Sequence, residues 1–246
     1  MIRIGIVGAG GMGTVHRSNY EYMEGCRVAA VVGKTKQDEE RAAAWGLPLY
    51  GEIDEMLDRE EIDVVDVCTP TFLHKEHVLK ALERGKHVIT EKPIALRVSD
   101  AKEMFDLARE KGVQLLVGQV LRFYKESRIL KELVEDRRYG RVLDATFERL
   151  SACPRWAQGG WLFDKTKSGH LPFDLHIHDL DLMVSLFGKP ETYSFTSCGG
   201  SERDYKEQYR FFYGYKDFNV VAEAAWFNAD IPFTARWRVY FENAVV

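Results

Sequence analysis

Short apolar runs alternate with amphipathic stretches through the first half of the chain. The apolar runs predict strands at 2–7, 28–32, 64–68, 87–90 and 113–117. The stretches between them predict helices at 12–23, 38–45, 74–84 and 100–110. Regular alternation of strands that look buried with helices is typical of a doubly wound parallel sheet with right-handed crossovers.

The pattern changes after residue 118, where longer strands rich in aromatic and β-branched residues replace the alternation. Helices are predicted at 126–135 and from about 173 to 187, and strands at 142–150, 193–197, 208–215, 219–227 and 233–241. Because the last three strands lie close together in sequence, they favour an antiparallel sheet. We therefore expect an α/β chain with a parallel-sheet domain at 1–120 and an α+β domain at 121–246.

Composition indicates an ordinary globular protein and excludes several classes. Of the 246 residues, 46% are hydrophobic and 29% are charged, and the formal net charge is −4. The sequence has no dense Lys and Arg cluster of the kind that binds nucleic acid or membrane surfaces, and no apolar run approaches the ~20 residues of a membrane span. The cysteines fit no zinc or redox spacing, which indicates reduced thiols and a cytoplasmic location. They are Cys26, Cys68, Cys153 and Cys198.

The first chemical signal is a glycine pattern between the first strand and the first helix. Gly8, Gly10 and Gly13 fit G-x-G-x-x-G in the strand–turn–helix context that binds dinucleotides. Gly8 permits the tight turn, Gly10 lets the backbone approach a pyrophosphate, and Gly13 allows close packing of helix on strand. The helix N-terminus would present free N–H groups to the anion. We expect cofactor contacts at Gly8, Gly10, Gly11, Met12 and Gly13.

The end of the second strand bears on which dinucleotide binds. An NAD site usually has a carboxylate about 20 residues beyond the loop, but that position is Gly33, followed by Lys34 and Thr35. Two ammonium groups, Lys34 and Lys36, and a hydroxyl favour NADP over NAD, with contacts at Gly33, Lys34 and Thr35. Alternatively, Thr35 and Asp38 form a capping box for the next helix, and the lysines are merely solvated.

Polar residues also follow three other predicted strands, at the edge where open α/β sheets bind ligands. They are Thr69-Pro70, Glu91-Lys92-Pro93, and Gly118-Gln119 followed by Arg122. A lysine fixed there by a following proline is a candidate proton donor or acceptor, and a solvated surface lysine is the alternative.

Three of the seven histidines lie within nine residues of the second half: His170, His176 and His178. On an α-helix, residues four apart share a face, so Asp174 and His178 would lie together and His176 would point elsewhere. The carboxylate would orient the imidazole and raise its basicity, as general acid–base chemistry requires. Metal ligation by His176 and His178 would need a strand and is the less favoured alternative. A capped or core histidine is the other.

These motifs, in this order, resemble the glucose–fructose oxidoreductase and inositol dehydrogenase (Gfo/Idh/MocA) family along nearly the whole chain. The resemblance is carried by the glycine pattern, Cys68-Thr69-Pro70 with His74, Gly85-Lys86-His87-Val88, Glu91-Lys92-Pro93, Arg122-Phe123, and Asp174-x-x-x-His178 with Asp181. It implies an N-terminal Rossmann domain, then a domain with a large, mainly antiparallel sheet whose open face makes a homo-oligomer contact. It also implies NAD(P)-dependent oxidation or reduction at a hydroxyl-bearing carbon of a sugar, polyol or inositol.

The resemblance implies that Lys92, Asp174 and His178 are the catalytic residues. Lys92 and His178 would bind the substrate hydroxyl and handle its proton, and Asp174 would position them. The further cofactor contacts that we expect are Thr69, Pro70, His74, Glu91, Lys92 and Arg122. The expected substrate contacts are Lys92, Arg122, Trp161, His170, Asp174 and His178. No metal is expected.

The sequence departs from the family pattern in three places. The loop before Asp174 reads Ser168-Gly169-His170-Leu171-Pro172 instead of a glycine run, so His170 would fill or gate the substrate pocket. Tyr124 follows Arg122-Phe123 where proline is common. The chain is also shorter than its relatives usually are, so we expect the second domain to be incomplete at its C-terminus.

Two other functions stay open. One is a non-catalytic regulator that senses NAD(P) or a sugar, although the intact Lys92, Asp174 and His178 argue against it. The other is an enzyme that holds NAD(P) tightly and acts by a closed redox cycle, for example in glycoside cleavage. A zinc-dependent dehydrogenase is the least favoured, because no cysteine lies near the histidines in sequence.

The expected partners are a small sugar or polyol and further copies of the chain, with no nucleic acid or membrane. The aromatic strands after Pro190 would supply the self-associating face.

Overall fold

In the computed structural model the chain divides into two units, Met1–Gly118 and Gln119–Val246. The structure describes residues 1–246, the side chain of Gln158 excepted. Among the described helices there is none with both the length and the apolar character to cross a membrane.

The first unit is a six-stranded sheet in which every neighbouring pair of strands is parallel. Its strands are β1 (Ile2–Val7), β2 (Cys26–Val32), β3 (Leu49–Tyr50), β4 (Val64–Val67), β5 (His87–Thr90) and β6 (Leu115–Val117). Its helices are α1 (Gly11–Tyr20), α2 (Lys36–Trp45), α3 (Ile53–Arg59), α4 (His74–Glu83) and α5 (Val98–Lys111). The strand order β3-β2-β1-β4-β5-β6 is the doubly wound Rossmann order and confirms the predicted fold class.

Two elements of this unit are missing from the sequence prediction. β3 has 2 residues and α3 has 7, which is too short for hydrophobic periodicity to reveal them. α3 nevertheless supplies Ile53 and Met56 to the core, where both are almost completely buried. A Cβ on Gly5 of β1 would lie 2.6 Å from the Met56 methyl carbon, so the strand needs glycine where this helix packs.

The second unit is a mixed, mostly antiparallel sheet of five strands, as the fold-class prediction expected. The strands are β7 (Val142–Ala152), β8 (Thr192–Cys198), β9 (Gln208–Gly214), β10 (Asn219–Phe227) and β11 (Thr234–Phe241). Their order is β11-β7-β10-β9-β8, and only the β7–β10 pair is parallel. The α-helices are α6 (Lys125–Glu135), α7 (Lys165–Ser168) and α8 (Ile177–Phe187).

One face of this second sheet packs against α6 and α8. Leu130 of α6 and Met183 of α8 join Phe147, Phe211 and Tyr213 of the sheet in one apolar cluster. Some of the aromatic residues that the sequence suggested for self-association are therefore buried core residues, namely Phe211, Tyr213, Trp226 and Phe241. Others are exposed, namely Tyr193, Phe195, Phe212, Phe233 and Tyr240.

The opposite face is built mainly from paired charges. Arg210 of β9 lies 2.8 Å from Glu223 of β10, and Arg236 of β11 forms an ion pair with Glu148 of β7. The strand register sets these four residues side by side across the sheet. Phe212 of β9 and Tyr240 of β11 are exposed as well. The expected oligomer contact through this sheet stays a prediction.

Candidate functional site

The glycine loop follows β1 and opens α1, as the sequence predicts. Gly8 has φ +94°, in the left-handed region where residues with a side chain are strained. A Cβ on Gly13 would lie 2.0 Å from the Gly8 carbonyl oxygen, whereas Cβ atoms on Gly10 and Gly11 would meet nothing within 4 Å. The loop is therefore tightly packed at Gly8 and Gly13, and it faces open space at Gly10 and Gly11.

The open side of the loop fits a pyrophosphate. Gly10 caps α1 without a side-chain hydrogen bond, and the first N–H groups of an α-helix have no partner within the helix. Gly11 and Met12 are exposed at this end of α1. Because N–H groups at a helix N-terminus bind phosphate groups, the residues present fit a dinucleotide.

The segment after β2 forms the capping box that was the alternative interpretation. The Thr35 hydroxyl accepts from the Asp38 N–H at 3.1 Å, and the Asp38 carboxylate accepts from the Thr35 N–H at 2.9 Å. Asp38 also accepts from the N–H groups of Ala9 and Lys34, both at 3.1 Å, which ties α2 to the glycine loop. A Cβ on Gly33 would lie 2.4 Å from the Asp38 Cβ, so this position requires glycine.

Lys34, the predicted phosphate-binding lysine, is exposed but has a carboxylate beside it. Its ammonium group forms an ion pair with Glu52, and the hydrogen bond from Lys34 lowers the pKa of that carboxyl. Lys36 is also exposed and lies 3.9 Å from Glu40. The spacing of the sequence revealed the ammonium groups at the end of β2 but not the carboxylate that accompanies Lys34.

The segments after β4 and β5 are joined by His74, which is 1% exposed. Its Nδ1 lies 2.8 Å from the Pro93 carbonyl oxygen, and its Nε2 lies 2.9 Å from the Thr69 carbonyl oxygen. Burial lowers the pKa of this imidazole. His74 therefore ties the backbone of Thr69, after β4, to that of Pro93, after β5, and its expected contact with a cofactor stays a prediction.

Glu91 and Lys92 begin at the carboxyl end of β5. Glu91 is buried, and one of its carboxylate oxygens accepts from the Lys92 N–H at 3.1 Å. Lys92 is half-buried and is followed by a cis peptide bond to Pro93. Gly118 donates its N–H to the Thr90 carbonyl at 2.8 Å, which brings the end of β6 beside the same segment.

His16 of α1 is a functional candidate that the sequence reasoning missed. Its Nδ1 lies 2.9 Å from Asp66 and its Nε2 lies 3.0 Å from Glu91. The Tyr20 hydroxyl donates to the same Asp66 oxygen at 2.8 Å, and the Cys68 sulfur lies 3.4 Å from the His16 Nδ1. The one signal in the sequence was its place on the helix that the glycine loop opens.

The protonation state of His16 follows from these contacts. Burial acts to lower its pKa, but the hydrogen bonds to Asp66, Cys68 and Glu91 outweigh burial and raise the pKa to about 12. Burial raises the pKa of the Cys68 thiol, also to about 12. In the described part of the chain, one group of three or more His, Cys, Asp or Glu residues has its ring nitrogen, sulfur or carboxylate oxygen atoms within 4.8 Å of one another. This group is His16, Asp66 and Cys68. The contacts among these side chains form a hydrogen-bond network.

The segment that holds Asp174 and His178 is not the continuous α-helix that the sequence predicted. Pro172–His176 forms a π-helix, and α8 begins at Ile177. The four-residue rule for an α-helix face therefore does not cover this pair, and their shared face stays a prediction. Both side chains are half-buried. Such π-helical turns are rare and occur frequently at functional sites.

Two buried contacts fix the start of α8 to the sheet. The His176 ring stacks on Phe211 with ring centroids 4.0 Å apart, and its Nε2 lies 2.7 Å from the Tyr213 hydroxyl. Burial lowers the pKa of His176 to about 3, so it is a neutral core histidine. Asp179 accepts two hydrogen bonds of 2.8 Å from Arg149 of β7, and this ion pair is buried too.

The remaining predicted residues each have a local partner in the second unit. Arg122 lies in the 3-10 turn Val120–Phe123 and donates to Asp181 of α8 at 2.7 Å. Trp161 is half-buried against an apolar cluster that contains Trp226. Their expected contacts with cofactor and substrate stay predictions.

His170 has a structural role within its own loop. It is buried, with φ +63°, and its N–H donates to the Ser168 hydroxyl at 2.8 Å. Its Nε2 lies 3.2 Å from the Phe163 carbonyl oxygen. These contacts show how the ring is anchored, and the expectation that it gates a substrate pocket stays a prediction.

Comparison with known families agrees with this architecture. The model of an oxidoreductase family with an NAD-binding Rossmann fold, GFO/IDH/MocA, matches residues 2–119. The C-terminal domain model of the same family matches residues 127–245. The chain belongs to the Gfo/Idh/MocA oxidoreductase family.

Relatives of this family member differ in their named reactions. The chain is 35% identical to a 2,7-anhydro-N-acetylneuraminate hydratase of Mediterraneibacter gnavus. The match covers 78% of this chain and 51% of that protein. The chain is also 33% identical to a glucose-6-phosphate 3-dehydrogenase of Bacillus subtilis over 76% of this chain and 54% of that protein. The chain thus spans about half the length of these relatives.

A solved structure similar to the chain is that of an NAD-binding protein from Listeria innocua. The two share 26% sequence identity with a TM-score of 0.86, over 98% of this chain and 71% of that one.

Proposed function

We propose that this chain belongs to an NAD(P)-dependent oxidoreductase that transfers hydride between the nicotinamide and a hydroxyl-bearing carbon of a sugar, polyol or inositol. The observation that carries the proposal is a Glu-Lys-Pro segment at the carboxyl end of β5 in a member of an NAD-binding oxidoreductase family. Ligands of doubly wound sheets bind at that edge. The related glucose-6-phosphate 3-dehydrogenase makes a sugar the first substrate class to test.

Lys92 and His178 have the proton-handling roles in this proposal. Loss of hydride from a carbinol carbon requires the hydroxyl proton to leave to a base, and a lysine or histidine side chain can accept it. The cofactor supplies the hydride acceptor or donor. Asp174 would orient these groups, and Arg122 and His170 would line the substrate. The roles of these residues rest on the family motif.

We also propose that NADP is preferred over NAD. Lys34 and Lys36 are exposed after β2, and the Asp38 carboxylate is buried and bonded to the backbone of the glycine loop. The Asp38 carboxylate is therefore not available to accept a hydrogen bond from a ribose 2′-hydroxyl. The ammonium group of Lys34 could instead bind a 2′-phosphate. The negative charge of Glu52 beside Lys34 weakens the attraction between Lys34 and a 2′-phosphate.

A second candidate function is a closed redox cycle with tightly held NAD(P). The related 2,7-anhydro-N-acetylneuraminate hydratase favours it, because adding water leaves the overall oxidation state of a substrate unchanged. In such a cycle the hydride that leaves the substrate would return to it before product release. The same residues would serve both functions.

The setting that we propose for the enzyme is cytoplasmic and homo-oligomeric. The charged face of the second sheet, with its Arg210–Glu223 and Arg236–Glu148 pairs, is the contact surface in this proposal. Such a surface would associate through matched charges, so the oligomer would weaken as the salt concentration rises.

The experiment that tests the proposed function is a binding titration of the chain with NADPH and NADH, followed by a substrate panel assayed with NADP⁺ and NAD⁺ as hydride acceptors. The panel contains glucose, glucose 6-phosphate, a methyl glucoside, myo-inositol and 2,7-anhydro-N-acetylneuraminate, and nicotinamide absorbance reports turnover. A change in absorbance with any member supports the dehydrogenase. A new product without a net change in absorbance supports the closed cycle. Cofactor binding without any product would contradict both functions and favour a regulator.

A further inference from the structure

The network around His16 joins the helix of the glycine loop to the segment that carries Lys92. His16 lies on α1, Asp66 lies on β4, and Glu91 follows β5, so one imidazole ring joins a helix to two segments at the carboxyl edge of the sheet. Asp66 is 0% exposed and Glu91 is 6% exposed. Two buried carboxylates repel each other and have lost their hydration. A cation between them with hydrogen-bond donors on both sides offsets both costs.

The imidazolium has the geometry of such a cation. Its two N–H groups point in opposite directions, and each lies within 3.0 Å of a carboxylate oxygen. The second oxygen of Glu91 accepts the Lys92 N–H, so the carboxylate is held at one end by His16 and at the other by the backbone of Lys92. A displacement of the His16 ring would therefore move Glu91 and the start of the Lys92 segment together.

We propose that His16 is a positioning residue: its imidazolium, between Asp66 and Glu91, keeps the Glu91 carboxylate ionised and in place and thereby fixes the Lys92 segment for the reaction. This inference rests on the proposed function, because it assigns His16 to the reaction that Lys92 serves. His16 itself acts through Glu91 and is not a catalytic residue. Tyr20 supports it by its hydrogen bond to Asp66.

The charges around Glu91 give this proposal a pH signature. The groups that face it are His16 of α1, Asp66 and Cys68 at the end of β4, His74 of α4, and the neighbouring Lys92. Burial acts to raise the pKa of Glu91, and the hydrogen bond and charge of His16 reverse this effect and lower it. Without the imidazolium, only the charge and the backbone N–H of Lys92 would oppose the effect of burial, so the pKa of Glu91 would rise.

The first measurement uses the wild-type chain and needs no substrate. Nitrogen-detected NMR of the histidine side chains should find His16 protonated on both ring nitrogens at pH 9, where an ordinary histidine with pKa about 6.5 is neutral. A His16 ring that loses its proton below pH 8 would overturn the proposal.

The second measurement compares His16→Gln with wild type on the best substrate of the panel. We expect kcat to fall ~100-fold at pH 8, the loss expected from a displacement of about 1 Å, with a further fall towards pH 6 that wild type lacks. His87→Gln is the matched control, because His87 lies at the other end of β5 and is exposed. Tyr20→Phe keeps the imidazolium and should retain most of the activity. A His16→Gln variant with wild-type kcat and a wild-type pH profile would overturn the proposal.

A third measurement separates this proposal from the proposed function. If wild type turns over no substrate, the proposed function fails, and the affinity of His16→Gln for NADPH is measured between pH 6 and 9. Because Glu91 is an expected cofactor contact, the affinity should change with pH in the variant more than in wild type. Identical pH dependence in the two proteins would overturn the role of His16 by itself.

Discussion

Lys92 is the side chain on which the proposed reaction depends most. Substitution Lys92→Ala should lower kcat by ~10²–10⁴-fold, the usual contribution of a proton-transfer group, and leave cofactor affinity largely intact. Steady-state kinetics and a fluorescence titration with NADPH measure the two quantities. Lys102→Ala, an exposed lysine of α5, is the control and should match wild type. Unchanged turnover in Lys92→Ala would show that another group moves the proton.

Lys34 and Glu52 offer a matched test of cofactor preference. Lys34→Ala should weaken NADPH binding roughly tenfold, the effect of losing one hydrogen bond to a charged group, without a change for NADH. Glu52→Gln removes the carboxylate that competes for the same ammonium group, so NADPH binding should strengthen. Calorimetric titration of both variants with both cofactors measures the ratio. If neither substitution alters the NADPH to NADH ratio, the 2′-phosphate site lies elsewhere.

Single residues were predictable from the sequence where a local rule fixes them. Gly8 and Gly13 are required by a turn and a close approach that the G-x-G-x-x-G spacing already implies, and the Thr35–Asp38 capping box spans only four residues. His16 could not be predicted in the same way. Its partners lie 50 and 75 residues away, so its role appears only once the sheet brings α1 beside the ends of β4 and β5.

Among the elements, α8 depends on one buried ion pair. Arg149→Met would leave the Asp179 carboxylate buried without its partner, which should cost about 3–5 kcal/mol of unfolding free energy. The double variant Arg149→Met/Asp179→Leu should recover most of that loss, because it removes the unpaired charge. Urea unfolding followed by tryptophan fluorescence reports mainly on this unit, which contains four of the five tryptophans: Trp156, Trp161, Trp226 and Trp237.

The exposed pair Arg141–Glu242 is the control for that measurement. Arg141→Met should cost less than about 1 kcal/mol, since water solvates both charges. A cost for Arg149→Met as small as that for Arg141→Met would mean that the Arg149–Asp179 contact does not hold α8 to the sheet.

The elements themselves differ in how much the sequence could reveal. Strands such as Ile2–Val7 and His87–Thr90 agree with the prediction because apolar runs and glycine caps mark them clearly. The π-helix Pro172–His176 could not be predicted, because its residues also fit α-helical periodicity and the extra residue per turn is decided by packing, with His176 stacked on Phe211. Because part of this segment is a π-helix, the four-residue spacing of an α-helix no longer predicts that Asp174 and His178 share a face.

At the scale of the whole molecule, the two sheets illustrate different limits of prediction. The first follows from strand–helix alternation, since right-handed crossovers allow few arrangements and the observed order is the doubly wound one. In the second, β7 lies between β10 and β11, and each β7 residue pairs with a residue of β10 that lies 75 positions later in the chain, as Asp144 does with Asn219 (219 − 144 = 75). Such long-range neighbours leave no local pattern, so the sequence indicated only an antiparallel tendency.

The most direct test of the oxidoreductase account is transfer of deuterium from substrate to cofactor. The chain is incubated with NADP and with uniformly deuterated sugars and inositol. The cofactor is then recovered, and its mass is measured by mass spectrometry. We expect wild type to yield reduced cofactor that is one deuterium heavier, and the rate of labelling to fall ~10²–10⁴-fold in Lys92→Ala. A wild-type chain that binds the cofactor but never labels it, with any member of the panel, would contradict the account.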